Sequence, residues 1–526
     1  ETGPFNTAWA WFGYDEPNYT YMKDGSKLLT QLAEMSPSPV YIRTHNLLTT
    51  GDGVAALKWG STNAYTEDAD GNPVYDWTIV DKIFDTWMER GIKPIVEIGF
   101  MPEALSSKPD PYRHHWKPGD PYGDVYTGWR YPPNDYDKWA ELIFQWVRHS
   151  VERYGQTEVE SWYWELWNEP DIAYWGGTFE EYCKLYDYTA DAVKRALPTA
   201  RVGGPHVTSP SYPVPSRFLR DFLIHCESGI NHATGEVGSP LDFIGFHAKG
   251  NPRFIDGMVR MGIGPQLRAV ERGFEIVAAS EKFRHLPIVI GECDPEGCAA
   301  CGMDVAPQNG YRNGTMYSSH TAATFTRIYE LARHYDVNLT GIVSWSFEFE
   351  DQPWFHGFRD LSTNGVNKPV LNVFRMFGRM GDTQVSATVD GGFTFRHIID
   401  SGVRGSKTDI GALATRTGDG AAVMFWNYHD DDKITADADL EFRVGGLKPG
   451  KVTVTQYRID RDHSNSYEVW KKMGSPQNPT PEQIKTLEDA GMLHMSHEPV
   501  KMKVKKGTLT VRTTIQRQGV GLMEIK

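Results

Sequence analysis

Two glutamates stand where an acid could meet a ligand. Glu169 lies in the run Trp167-Asn168-Glu169-Pro170, directly after the apolar stretch Ser161-Trp-Tyr-Trp-Glu-Leu166, and Glu292 closes Pro287-Ile-Val-Ile-Gly. Each ends a short buried-type run at the threshold of a polar loop, and Pro170 stops the first run because it has no backbone N–H to continue a ladder. A pair of carboxyl groups facing one another can cleave a glycosidic bond: one protonates the departing oxygen while the other attacks the sugar carbon or activates water. That chemistry needs one acid protonated and the other ionised near neutral pH, so their surroundings must push the two pKa values apart. The aromatic residues around Glu169 could supply such tuning, and Asn168 could hydrogen-bond a sugar hydroxyl.

Elements of a particular kind must carry these acids. From Asp76 onward, Trp77, Val80, Phe84, Trp87 and Met88 recur at helical spacing, Gly91 can end the helix, and a short apolar strand follows. The same helix-then-strand step repeats along the chain, with Thr178-x-x-Glu181 resembling a capping box. Strands are expected near 5–12, 40–45, 94–99, 162–168, 200–204, 242–247, 287–292 and 341–346. Helices are expected near 25–35, 77–90, 136–154, 179–196, 216–226, 265–282, 316–335 and 369–380. Eight such units in one run predict an α/β fold, a (β/α)8 TIM barrel, whose C-terminal strand ends converge on one mouth. Both glutamates fall at such ends. After about Met380 the segments become short, β-branched or aromatic, and divided by Gly, Asp and Pro. The expected organisation is therefore a catalytic barrel over 1–380 and a β-sandwich over 381–526, with a short helix on the sandwich surface within the polar insert 464–498.

Composition narrows the partners. The formal net charge of −14 argues against nucleic acid or an anionic membrane, since both call for a basic footprint, and no stretch has the apolar length of a bilayer span. The 17 Trp, 25 Tyr and 24 Phe suit a neutral ligand with C–H faces to stack on, beyond what a core consumes. The chain opens at Glu1 without Met, and a periplasmic or secreted location is favoured over a cytoplasmic one. Cys298-x-x-Cys301 has no second ligand pair at zinc spacing, so a local disulfide or free thiols are expected there and no metal or other cofactor. Asn18, Asn313 and Asn338 begin glycosylation-type triplets.

Trp167-Asn168-Glu169-Pro170 after the fourth expected strand, with Glu292 after the seventh, resembles the clan of barrel glycosidases whose acid/base and nucleophile occupy those two strand ends. Further motifs resemble glycoside hydrolase family 39, the β-xylosidases and α-L-iduronidases. They are Tyr41-Ile-Arg43-Thr-His45, Gly99-Phe100-Met101-Pro102, Asp242-Phe-Ile-Gly-Phe-His247, and Trp345 with Glu350. The resemblance implies that Glu169 is the acid/base and Glu292 the nucleophile of a retaining enzyme. It also implies that His45, Asn168, His247, Trp345 and Glu350 line the sugar subsite and that Phe100 forms an apolar wall.

Two signals divide on the sugar. Many β-xylosidases of the family carry an aromatic residue where this chain has Lys249, and Glu292-Cys-Asp-Pro is similar to the corresponding segment of iduronidases. A lysine there could bind a sugar carboxylate as a point charge. Phe355-His-Gly-Phe-Arg-Asp360 and Asn367-Lys-Pro369, by contrast, resemble the strand-eight loop of bacterial β-xylosidases. The resulting expectation is an exo-acting β-1,4-xylosidase on xylo-oligosaccharides with α-L-arabinosidase side activity, and Lys249 paired with Asp294 or Glu296. A uronidase of the α-L-iduronidase kind, or an α-L-arabinosidase as the main activity, is the alternative. A non-catalytic carbohydrate-binding protein would not need both acids, and a metal-dependent hydrolase would need a compact ligand motif beside His45 and His247.

Overall fold

The computed structural model describes residues 2–526. Eight parallel strands close into a barrel in chain order: β1 (Trp11–Tyr14), β2 (Tyr41–Thr44), β3 (Lys93–Ile98), β4 (Tyr163–Leu166), β5 (Arg201–Val207), β6 (Phe243–His247), β7 (Pro287–Glu292) and β8 (Asn338–Ser344). The helices that follow them are α1 (Lys23–Met35), α2 (Thr78–Met88), α3 (Tyr136–Tyr154), α4 (Phe179–Ala196), α5 (Pro213–Ser228), α6 (Ile263–Ala278), α7 (Thr315–Tyr335) and α8 (Leu371–Phe377). The capping box at the start of α4 is present, with the Thr178 and Glu181 side chains each bonded to the other's backbone N–H.

The expected first strand was displaced. Phe5, Ala8, Trp9 and Ala10 are buried, but Phe5 and Trp9 are spent on the rings of Tyr329 and Phe377 in α7 and α8, and the strand itself starts at Trp11. A short apolar run records burial and not the means of burial, so periodicity could not separate the two.

Inside the barrel, side chains alternate inward with period two. Tyr41, Arg43 and His45 come from β2 and its end, and Ile95 and Glu97 from β3. Tyr163 and Glu165 come from β4, Phe243 and His247 from β6, Val343 and Trp345 from β8 and its end. Trp11, Tyr41, Ile95, Tyr163, Phe243, Val289 and Val343 form an apolar floor. Above it lies a charged layer in which Arg43 pairs with both Glu97 and Glu165, all three side chains fully buried. His206, also paired with Glu165, fits because Gly245 and Gly291 face its ring: a Cβ on either would lie 2.1 Å from it.

The second unit has β9 (Thr383–Val385), β10 (Asp409–Thr417), β11 (Gly420–Tyr428), β12 (Ala438–Gly445), β13 (Gly450–Ile459), β14 (Val500–Val504), β15 (Thr508–Ile515) and β16 (Val520–Ile525). Its main antiparallel sheet runs from Gly3–Pro4 through β9, β10, β11, β16 and β13, with β14 and His494–Met495 also on β13; β12 and β15 form a separate ribbon. The main sheet is covered on both faces. Val423, Phe425, Val454 and Met523 pack on Val511 and Leu509 of the ribbon. Met424, Trp426, Tyr428 and Leu522 instead join the barrel's own core. Two-sided burial is why β11 reads as the unbroken apolar run Ala421-Ala-Val-Met-Phe-Trp426. Helix α7, rich in Ala, Ser and Thr, lies buried along almost its whole length between the two units.

The insert 464–498 departs from expectation. It holds three helical or extended pieces, including α10 (Ser466–Lys472) and α11 (Pro481–Ala490), after the short helix α9 (Phe395–Ser401) earlier in the unit. Trp470 and Leu487 pack on Trp354, Phe355 and Val366 of the strand-eight loop of the barrel, not on the sandwich surface. Cys298 and Cys301 are joined as a disulfide, while Asn18 and Asn313 are buried in hydrogen bonds and only Asn338 of the three triplets is exposed. Among the described residues, no helix is long and apolar enough to cross a membrane.

Candidate active site

The C-terminal ends of the strands bring most of the expected residues together. Glu292 is the last residue of β7, His247 the last of β6, His45 and Trp345 follow β2 and β8 by one residue, and Asn168 and Glu169 follow β4. The chain turns sharply after β4, with Trp167 at φ 67° and Glu169 at φ 45°. Left-handed backbone at non-glycine residues costs on the order of 1–3 kcal/mol each and has to be held by its surroundings. The Trp167 indole donates to Tyr174 O (3.0 Å) and the Glu169 N–H to His206 O (3.0 Å), which fixes the turn and aims the Glu169 side chain inward.

An oxygen of Glu169 and an oxygen of Glu292 lie within 4.8 Å of each other and of the His247 ring nitrogen. His247 Nδ1 is 2.9 Å from Glu169 Oε1 and 3.8 Å from Glu292 Oε1. Only 12% of the Glu169 side chain and 8% of the Glu292 side chain is exposed, so both acids are largely shielded from bulk water. Among retaining glycosidases the two carboxyl groups stand about 5–5.5 Å apart, and among inverting ones about 6.5–9.5 Å. The oxygen-to-oxygen approach within 4.8 Å accommodates the closer spacing.

The two acids have opposite electrostatics. Burial, together with the neighbouring Glu292 charge, pushes the Glu169 carboxyl up to about 7. Burial would raise Glu292 as well, but the Lys249 ammonium and the hydrogen-bonded His45 outweigh it and hold Glu292 well below the usual carboxylate range. Lys249 Nζ is 2.6 Å from Glu292 Oε2, while Arg43 Nη1 (3.4 Å) and His45 Nε2 (3.5 Å) face Oε1. His45 is itself held in its charged form: burial opposes this, but Glu97 at 2.6 Å, Asp15 at 3.2 Å and Glu292 prevail. His247, by contrast, is kept neutral by burial.

Lys249 therefore takes a partner other than the expected ones. Asp294 is occupied by the Tyr317 hydroxyl (2.7 Å) and the Trp345 backbone N–H (2.6 Å), and Glu296 by Tyr311, Arg312 and Arg359. Glu350 is not brought to the cluster: it accepts from Gly25 N–H (3.2 Å) in the first turn of α1, where a carboxylate complements the helix N-terminus. Trp345 belongs to the site but is 1% exposed, with its indole N–H on Asp15 (2.9 Å) and the Arg43 guanidinium over its ring (4.9 Å to the centroid). Phe100 stands in an aromatic wall with Trp129 (4.4 Å between ring centroids), Trp167 (5.1 Å) and Tyr174 (5.8 Å), facing His45. Asn168 Oδ1 accepts from Arg43 Nη2 (3.1 Å).

Sequence reasoning missed the layer beneath: Arg43, Glu97, Glu165 and His206, and the pair Asp15–Lys58 beside His45. The signal was present, since Arg43 and His45 are two residues apart on one strand and so share a face. Glu169, His247 and Glu292 could in geometry alone hold a cation. The ammonium, guanidinium and imidazolium already ranged against Glu292 oppose a further positive ion there.

The comparisons agree with this geometry. The family model of glycosyl hydrolases family 39 matches residues 2–505. A β-xylosidase of Geobacillus stearothermophilus is 28% identical over 505 residues, covering 92% of this chain and 86% of that one. The α-L-iduronidase of Mus musculus is 24% identical and covers 85% of this chain and 67% of its own length. A monomeric β-xylosidase from Caulobacter crescentus shares the fold with a TM-score of 0.75 at 23% identity, covering 100% of this chain and 97% of that one. With a family match that spans nearly the whole chain on a closed barrel bearing paired rim acids, this protein belongs to glycosyl hydrolases family 39.

Proposed function

We propose that the protein is a retaining exo-β-1,4-xylosidase that releases xylose from the ends of xylo-oligosaccharides, with α-L-arabinosidase side activity. The observation that carries the reading is the close pair of carboxyl groups, one poised to hold a proton and the other ionised. Glu292 attacks the anomeric carbon while Glu169 gives its proton to the departing oxygen. Glu169, now ionised, then takes a proton from the water that releases the sugar from Glu292. Because the Lys249 ammonium is engaged by Glu292, the sugar it accompanies need carry no anion.

A uronidase is the second reading, favoured by that same ammonium, which lies 15% exposed at the reacting centre. Hydrolysis of aryl β-xyloside, aryl α-L-arabinoside and aryl α-L-iduronide by wild type and Lys249→Met, with and without chelator, separates the two. The xylosidase reading expects the xyloside to be preferred by both enzymes. A wild-type preference for the uronide that the substitution removes would overturn it.

A further inference from the structure

A second cluster of metal-ligating side chains lies outside the barrel mouth. Asp187, on α4, is fully buried, and each of its oxygens meets one imidazole: Oδ1 lies 2.9 Å from His225 Nε2, on the last turn of α5, and Oδ2 lies 2.8 Å from His232 Nδ1, in the loop 229–242. The three ligand atoms lie within 4.8 Å of one another. The two rings are near parallel, at 26° with centroids 5.9 Å apart, and each turns one nitrogen to Asp187.

We propose that Asp187, His225 and His232 bind a single divalent transition-metal ion of the zinc class, with water as the fourth ligand. Two imidazoles and one carboxylate are a borderline donor set that suits Zn2+ rather than Mg2+ or Ca2+. Ligand atoms about 2.0–2.2 Å from one tetrahedral ion stand roughly 3.3 Å apart. The two nitrogen-to-oxygen contacts fall short of that by a few tenths of an ångström, the two imidazole nitrogens lie within 4.8 Å of each other, and His232, 42% exposed on a loop, has room to shift toward a shared ion. The surrounding bonds already orient the carboxylate. The Ser239 hydroxyl donates to Oδ1 and the His232 N–H to Oδ2 (2.8 Å), the outer partners that a metal-bound carboxylate needs. The loop is compact before any ion arrives: Ile230 bridges Val237, and Asn231 Oδ1 accepts from Ala233 N–H (2.9 Å) and Thr234 N–H (3.1 Å). Binding displaces the proton that each imidazole nitrogen now shares with Asp187. The ion then clamps together α4, α5 and the loop that leads into β6, the strand carrying His247 and leading to Lys249. Because its ligands come from two helices and a loop, the ion's role is to tie these elements together.

The test is equilibrium zinc binding to the chelator-stripped full chain, read by metal analysis and by competition with a chromophoric chelator. Wild type should hold one zinc per chain at micromolar free zinc, and its thermal midpoint should rise when zinc is added. His232→Gln, at a side chain that is 42% exposed, should weaken binding by at least about 100-fold, as should His225→Gln, while the zinc-free circular dichroism is unchanged. Cobalt bound to wild type should show the visible bands of a four-coordinate site, and these should be absent from His232→Gln. Failure of wild type to hold zinc overturns the proposal. So does equal retention by both histidine variants, or loss of the ion in Glu292→Gln instead, which would put it at the barrel mouth.

Discussion

At the scale of single residues, Glu169 and Glu292 have the same side chain and opposite electrostatics, and their neighbours make the difference. Glu292→Ala should lower turnover of every substrate to background. Glu169→Gln should cost about 10²–10⁴-fold on xylobiose, whose leaving group needs a proton. With a dinitrophenyl xyloside the same variant should still form the covalent intermediate, seen as a burst of dinitrophenol in rapid-mixing kinetics. Equal losses on both substrates would remove the division of labour. The pH dependence follows from the shifts. Glu292, held well below its ordinary value, is ionised across the working range and loses its charge only as pH falls through that depressed value. Glu169, raised to about 7, keeps its proton below that pH and gives it up above, so kcat/KM should be flat on the mildly acid side and fall above about 7. Lys249 lowers both acids. Lys249→Met should therefore move both limbs of the profile to higher pH, and an unmoved profile would mean that the ammonium does not tune the pair.

At the scale of elements, the strands place the acids and the loops shape what reaches them. Trp470 and Leu487 of the insert, 6% and 0% exposed, hold the strand-eight loop of the barrel through Trp354, Phe355 and Val366. Leu487→Ala removes a fully buried side chain from this small cluster and should cost about 2–5 kcal/mol. Because the cluster is separate from the main core, the cost should appear first as local opening. Hydrogen exchange should speed up in 464–498 and 350–367 while the barrel strands stay protected. Uniform acceleration throughout the chain would show instead that the insert belongs to the global folding unit. Composition had announced neither helix partner, since a polar insert with Pro479 and Pro481 reads as surface wherever it packs.

At the scale of the whole molecule, barrel and sandwich share one interior. Met424, Trp426 and Leu522 of the sandwich sheet belong to the same core as the barrel helices, and Arg327 of α7 pairs with Asp409 of β10 at 2.6 Å with both side chains almost wholly buried. The N-terminal end of the chain is also tied to the sandwich, through Gly3–Pro4 on β9. Cutting the chain after residue 380 would expose that apolar face and leave Arg327 buried without its carboxylate. Breaking a buried pair from one side costs about 3–5 kcal/mol before any apolar loss is counted. Residues 2–380 should therefore be insoluble or unfolded when expressed alone, and calorimetry of the full chain should show one cooperative transition. Two well-separated transitions would contradict a shared core.

Much of this was legible in the sequence, for a physical reason. Burial on both faces makes a barrel strand a short apolar run, and alternation with amphipathic helices leaves one closed topology, so the positions of Glu169 and Glu292 at strand ends followed from local pattern alone. Family-like motifs carried His45, Phe100, Asn168, His247 and Trp345 to the same rim. What local pattern cannot carry is which side chain meets which across the barrel. Lys249 reaches Glu292 because Asp294 and Glu296 are already engaged by Tyr317, Trp345, Arg312 and Arg359, residues from 16 to 63 positions further along the chain. Glu350 turns to the N-terminus of α1, and the buried Arg43–Glu97–Glu165 layer assembles from three strands. Pairings of this kind depend on distances that exist only once the barrel has closed, and it is they that set the charge on each acid.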